Sequence, residues 1–239
     1  MPNPTAAMLV IGDEILSGRT RDSNMHHLAG QLTEAGIALS EVRVVSDDHD
    51  AIVAAVRDLS DAWDTVFTSG GIGPTHDDIT ADAIGAAFGA KVDIRDDARA
   101  LLQDHYDRQG SEFNEARQRM ARIPEGATLI ENPVSIAPGF TLRNVHVMAG
   151  VPKVFEAMVA SVLPTLTGGT PLISTSTRID RGEGDIAGPL GTLAAAYPDL
   201  SMGSYPFQRD GRFGANVVIR GQDGTRVHAA TEALAALFA

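Results

Sequence analysis

Short unbroken apolar runs alternate along this chain with stretches whose apolar residues recur every three to four positions. This is the signature of strands buried on both faces of a parallel sheet and of helices packed against them. Residues 8–11 form a continuous apolar strand that stops at Gly12. Residues 24–35 have helical spacing and are closed by Gly36, which suits the left-handed position just past a helix end. Residues 37–45 read as a second strand, 50–59 as a helix opened by an acidic turn, and 63–68, β-branched and aromatic, as a third strand. In residues 78–88, Ile79, Ala83, Ile84 and Ala87 fall on one helix face.

Further on the pattern is less regular. Residues 92–123 read as an inserted strand and two helices carrying Arg99, Arg108, Arg117, Arg119 and Arg122, mostly solvated. Asn114 and Arg117 share a face that reaches toward a ligand. A proline-punctuated turn around Asn132 and Pro133 leads through Gly139 into a hairpin of residues 140–142 and 145–148. A helix over 152–163 starts at Pro152, a residue suited to a first turn, behind Gly150. Thr167-Gly-Gly-Thr-Pro171 is the linker candidate. Beyond it, strand 172–179, helix 185–196, strands 200–205 and 216–219 and helix 226–238 suggest a small α+β unit of about 70 residues. Within that unit, residues 203–207 read as a turn that either edges the unit or folds over the pocket of the larger domain. The expected organisation is an α/β domain over 1–168, with a mostly parallel sheet between helices on both faces, and an α+β domain over 172–239.

Candidate chemistry concentrates in the strand-to-helix turn at 68–80. Gly70, Gly71 and Gly73 let backbone N–H groups approach a ligand closely, and oriented amides before a helix favour an anion. The turn is not a dinucleotide fingerprint, because His76 stands where a third glycine is needed, and it lacks the Gly-Lys-Ser/Thr of a P-loop. Asp77 and Asp78 would repel a phosphate unless a divalent cation lay between them, and carboxylates with phosphate oxygens are the usual Mg²⁺ environment. Thr75 and Asp78 also have the spacing of a helix cap, which coexists with a site. Pro74, His76 and Thr80 crowd the same turn, His76 as a hydrogen-bonding neighbour or an acid–base group.

In open α/β sheets ligands bind outside the carboxyl ends of the strands. That rule brings a second cluster, Gly12 to Asn24, to the same edge. Asp13 and Glu14 follow the first strand, Arg21 reads as a surface charge, and Asp22 and Ser23 as caps of the next helix.

Composition narrows the reading. With 31 acidic and 19 basic residues the net charge is −12, which disfavours a nucleic-acid surface. Hydrophobic content of 44% and charge of 21% are ordinary for a soluble protein, and no apolar run approaches the roughly 18 to 20 residues of a membrane span. The absence of cysteine removes disulfides and thiolate chemistry, and the start lacks a basic leader, so a cytoplasmic location is expected.

On these residues the chain resembles the molybdopterin-binding (MoaB/Mog) domain superfamily, most closely the N-terminal part of the competence/damage-inducible protein A (CinA) family. The motifs are Gly12-Asp-Glu, Ser17-Gly-Arg, Asp22-Ser-Asn24, Gly70 to Thr80, Asn132-Pro-Val, Ala137-Pro-Gly-Phe140 and Gly150-Val-Pro152. The resemblance implies a three-layer α/β/α fold and a pocket for a nucleotide or a pterin phosphate. It also implies a homo-oligomer, dimer or trimer. In relatives it is associated with hydrolysis of nucleotide pyrophosphates such as ADP-ribose or FAD, dependent on Mg²⁺ or Co²⁺ with K⁺ as a further candidate, or with binding and adenylation of molybdopterin. Catalysis then falls to Asp13, Glu14, Asp77 and Asp78, and metal ligation to Asp13, Asp77 and Asp78. Ligand contacts fall to Gly12, Asn24, Gly70, Gly71, Gly73, Pro74, Thr75, His76, Thr80, Asn132, Pro133, Gly139, Gly150 and Pro152. Family members commonly carry Gly-Thr before Ala137-Pro-Gly; this chain has Ser135-Ile136. Its length leaves no room for the amide-hydrolysing or synthase domains of longer relatives, and those activities are expected to be absent. A non-catalytic oligomeric scaffold is the third reading.

Overall fold

The first apolar run becomes β1 (Thr5–Ile11), in which every residue from Ala6 to Ile11 is buried. Its side chains divide between two cores. Ala7, Leu9 and Ile11 enter one and Ala6, Met8 and Val10 the other. A strand covered on both faces is why the run is continuous and not alternating. The computed structural model describes residues 2–209 and 212–238. The chain forms two compact units, Met1–Gly169 and Thr170–Ala239.

After β1 come α1 (Asp13–Leu16), α2 (Asn24–Glu34), β2 (Ala38–Val45), α3 (His49–Ala62), β3 (Thr65–Ser69) and α4 (Thr80–Phe88). There follow β4 (Val92–Ile94), α5 (Asp96–Arg108), α6 (Glu115–Gln118), β5 (Arg122–Pro124), β6 (Thr128–Ile130), β7 (Gly139–Leu142), β8 (Val145–Met148) and α7 (Pro152–Val162). The central sheet has the order β2-β1-β3-β8-β7-β6. Its first four strands are parallel, and β7 runs opposite to both of its neighbours, β8 and β6. Helices α3 and α4 supply Ile52, Val56, Leu59 and Ile84 to one core; α2 and α7 supply Leu28, Leu32, Phe155 and Met158 to the other. This is the expected α/β arrangement with helices on both faces of a mostly parallel sheet.

Four local readings change. Residues 13–16 make a helical turn, not a loop. The strands β5 and β6 are additional, and three residues are too few to show a period. Asn114 and Arg117 turn inward on their own segment. Asn114 Oδ1 accepts the Arg117 N–H at 3.0 Å, while the Arg117 guanidinium donates to the Glu112 carbonyl and lies 4.3 Å over the Tyr106 ring. In the second unit, residues 203–207 are not a turn. They run inside β10 (Ser201–Arg209), paired with β11 (Arg212–Gly221), which also pairs with β9 (Ile173–Ile179). Helices α8 (Glu183–Ala196) and α9 (Gly224–Leu237) complete this unit, with Ile186, Leu190, Val227 and Leu234 packed on Ile179, Val217 and Ile219.

One titratable group is sealed in the larger unit. His146, on β8, is 7% exposed, meets the Thr141 hydroxyl through Nδ1 at 2.8 Å and stands 5.2 Å from the Phe67 ring. Burial lowers its pKa from 6.5 to about 4. The unfolded chain therefore takes up a proton between these values while the native state does not. The stability is present above pH 6.5 and lost as pH falls toward 4. The loss across the window is about 3 kcal/mol at 1.36 kcal/mol per unit. Urea unfolding from pH 7 to pH 4 should show it, and His146→Gln should flatten that slope.

Candidate functional site

The carboxyl end of β3 runs into a loop whose shape is set by two glycines. Gly70 has φ 114, and a Cβ there would collide with the Ile11 carbonyl oxygen; its N–H donates to the Met148 carbonyl at 3.1 Å. Gly71 has φ 69, and a Cβ there would strike the Thr80 hydroxyl. Thr80 is buried and braces the loop from below. Its hydroxyl donates to the Gly70 carbonyl and its N–H to the Gly71 carbonyl, both at 3.0 Å. Asp78 serves the loop also. Its Oδ2 accepts the Thr75 N–H at 2.8 Å and the Thr75 hydroxyl at 2.6 Å. That pair closes a turn ahead of α4 and does not cap it, which is why the helix begins at Thr80.

Above the loop lies a cleft of about 700 Å³ at the carboxyl edge of the sheet. Gly70, Gly71, Gly73, Pro74, Asp77 and Asp78 line one side of it. Glu14 arrives from the end of β1, Asn132 from the turn before β7, and Gly150 and Pro152 from the start of α7. The helical turn α1 separates neighbours that the sequence leaves equivalent. Glu14 faces the cleft, its carboxylate beside Gly12, while Asp13 is exposed and does not line it.

Asp47, just past β2, joins the cleft. Its Oδ2 accepts the Asp13 backbone N–H at 2.9 Å. Burial raises its pKa, the Asp13 N–H opposes that shift, and the carboxylates of Asp13, Glu14 and Asp77 add to it. Sequence reasoning missed Asp47, although the carboxyl-edge rule that selected residues 12–24 applies equally to the residue after the second strand. Asp77, by contrast, lies below the ordinary carboxylate value through hydrogen-bond donors of its own loop, and its side chain stays exposed.

The other expected contacts divide. Asn24 is buried beside the cleft and ties two loops together: its Nδ2 donates to Ser69 Oγ at 2.7 Å and to the Gly150 carbonyl at 2.8 Å. Asn132 closes its own turn through Ser135 Oγ, the Ala137 carbonyl and the N–H groups of Val134 and Ser135. Ile136 follows with φ 65, an uncommon state for a β-branched residue. Gly139 sits within β7 against the Val147 carbonyl. Pro133 is exposed, and His76 is 99% exposed with Nδ1 3.9 Å from Asp77. Gly12, Thr75, His76, Thr80, Pro133 and Gly139 do not line the cleft. Arg119 donates to the Asp78 carbonyl at 3.3 Å, and Arg122 holds Asp82 through two hydrogen bonds.

Among the described residues no three His, Asp or Glu side chains stand close enough to cage a metal, so Asp13, Asp77 and Asp78 do not form such a group. The acids sharing the cleft are Glu14, Asp47, Asp77 and Asp78. Hard oxygen donors of this kind fit a cation held by one or two carboxylates and completed by phosphate oxygens, which is how Mg²⁺ is usually held.

Comparison with known proteins gives two matches in tandem. Residues 7–168 match the family described as "Probable molybdopterin binding domain", and residues 171–239 match "FAD synthase, middle domain". A protein of Pyrobaculum arsenaticum is 35% identical over 210 residues, covering 84% of this chain and 79% of that relative. A CinA-like protein of Citrifermentans bemidjiense is 40% identical over 167 residues, covering 68% of this chain but 40% of that longer relative. The crystal structure of the protein CinA with unknown function from Thermoplasma acidophilum superposes with a TM-score of 0.63 at 34% identity, covering 69% of this chain and 99% of that one.

Proposed function

This chain belongs to the molybdopterin-binding domain family, in its CinA-like branch, and on that premise we propose that it is a cation-dependent nucleotide pyrophosphatase acting on dinucleotides of the FAD or ADP-ribose type. The observation that carries the reading is one cleft in which four carboxylates surround a glycine loop suited to phosphate oxygens. The tandem match to the middle domain of FAD synthase favours FAD as the first substrate to test.

The roles follow from position. Gly71 and Gly73 hold the pyrophosphate by close backbone approach. Glu14 and Asp77 are the residues that would hold Mg²⁺ or Co²⁺, which when bound offsets pyrophosphate charge and acidifies water. Asp47, more basic than an ordinary carboxylate, takes the proton of the attacking water. Water adds to phosphorus as the bridging P–O bond breaks, so FAD gives AMP and FMN. Asp78 and Asn24 keep the loops in place.

Incubation with FAD and with ADP-ribose, each with Mg²⁺, Co²⁺ and K⁺, should release AMP in a reaction that EDTA stops. No AMP from any dinucleotide with any of these cations would end the proposal. The family's own description supports a second reading, in which the same loop holds a pterin phosphate without hydrolysis. Stoichiometric retention of a pterin, with FAD left intact, would favour that one.

A further inference from the structure

The three-stranded sheet of the second unit has one face covered by α8 and α9 and one open face. Strand register fixes what the open face displays. Ser174, Ser176 and Arg178 on β9 stand beside Arg220, Val218 and Asn216 on β11, and these beside Ser201, Gly203 and Tyr205 on β10. The alternate positions Ile179, Ala215, Val217 and Ile219 enter the core. No carboxylate occupies any of those outward positions.

Two aromatic rings reach over glycines on this face, which leave room beneath them. A Cβ on Gly203 would sit 3.2 Å from Tyr205 Cε2 and 3.3 Å from its hydroxyl oxygen, so the Tyr205 ring lies along its own strand toward Ser201. A Cβ on Gly214 would come within 2.5 Å of Phe207 Cζ. The Phe207 ring is covered by the Arg178 guanidinium at 4.7 Å, and Arg178 is in turn paired with Asp180 at 2.7 Å. Tyr205 remains 51% exposed with no partner ring among the described residues. Arg220 is cross-strand from Ser201, two residues or about 7 Å beyond Gly203. It is exposed and forms no ion pair among the described residues, while the nearby Asp199 is held by Arg226 at 2.6 Å and Asp223 caps α9.

An exposed aromatic ring with a guanidinium that makes no ion pair about one ring-to-phosphate length away, on strand positions that carry no acid and with the flanking Asp180 and Asp199 already paired to arginines, matches a planar base joined to a phosphate. We propose that this open face binds a mononucleotide moiety, its heteroaromatic ring stacked on Tyr205 and its phosphate on Arg220. The site is built from residues of the second unit alone and does not depend on hydrolysis in the cleft.

FMN, which has no pyrophosphate bond, is the probe, and quenching of its fluorescence by the full chain is the signal. Saturable quenching is expected. Tyr205→Leu should weaken FMN and riboflavin alike by about tenfold or more, and Tyr205→Phe, which keeps the ring, should restore both. Arg220→Gln should weaken FMN by a similar factor and leave riboflavin unchanged. No saturable quenching, or quenching equally strong in Tyr205→Leu and Arg220→Gln, would overturn the proposal. Saturation by a single-stranded oligonucleotide but not by FMN would also overturn it and assign the face to nucleic acid.

Discussion

Asp47→Asn is expected to lower dinucleotide turnover by about 100-fold or more while making the larger unit more stable at neutral pH. The loss follows from removing the proton acceptor proposed for the cleft, a kind of group that commonly contributes 10²- to 10⁴-fold. The gain follows from linkage. Burial raises the folded-state pKa of Asp47, so the native state holds this proton more tightly than the unfolded chain does. Stability therefore falls as pH rises from the ordinary carboxylate value through the raised one, and the full penalty persists above it. Asparagine carries no such penalty and keeps an oxygen to accept the Asp13 N–H. Urea titrations in metal-free buffer should find the variant more stable at pH 7 and equal to the parent below the ordinary carboxylate range. A variant with parental turnover would remove Asp47 from the mechanism, and a less stable one would mean its carboxylate is a structural group.

Gly70→Ala is expected to cost about 3 kcal/mol or more. Part is backbone: φ 114 is closed to residues with a Cβ at a cost of about 1 to 3 kcal/mol. Part is collision with the Ile11 carbonyl, a main-chain atom of the central strand that cannot rotate aside, for about 1 to 3 kcal/mol more. A midpoint lower by roughly 6 to 12 °C should result in thermal unfolding. Gly71→Ala differs in kind, since its obstacle is the Thr80 hydroxyl, a side-chain atom. Thr80→Ala in the same chain should recover part of the Gly71→Ala loss, and no side-chain change should rescue Gly70→Ala. Equal rescue of both would show that the Ile11 carbonyl is not the obstacle.

Periodicity made most of the architecture legible. Continuous apolar strands such as β1 are visible because both faces are buried, and α2 declares its end through Gly36, where the Ile37 N–H returns to the Leu32 carbonyl at 2.8 Å. The same edge rule brought Glu14 and the glycine loop to one place. What stayed hidden depended on direction, not on residue type. Asp13 and Glu14 are adjacent acids, and only the helical turn sends one into the cleft. Asp47 is one of three acids clustered where the second strand gives way to the next helix, and nothing in their spacing separates it from its neighbour Asp48, which caps that helix by accepting the Ala51 N–H at 2.9 Å. Thr80 looked like a contact because its hydroxyl is polar, yet packing under the loop consumes it. Residues 203–207, rich in glycine, proline and aromatics, imitate a turn. The one glycine there, Gly203, carries the Tyr205 ring instead of a reversal.

The strand order also dictates when the cleft can exist during synthesis. β3 lies against β8, and Val66 pairs with Val145. At about 5 to 20 residues per second, β8 leaves the ribosome roughly 4 to 16 s after β3. Until then Gly70 has no Met148 carbonyl to donate to, and Phe67 and Val66 lie on an open strand edge, a template for wrong pairing. The nascent chain is therefore most exposed to aggregation after the glycine loop has been made and before its last supporting strand arrives. Substitutions in β8 should lower the yield of soluble protein more than their equilibrium cost suggests.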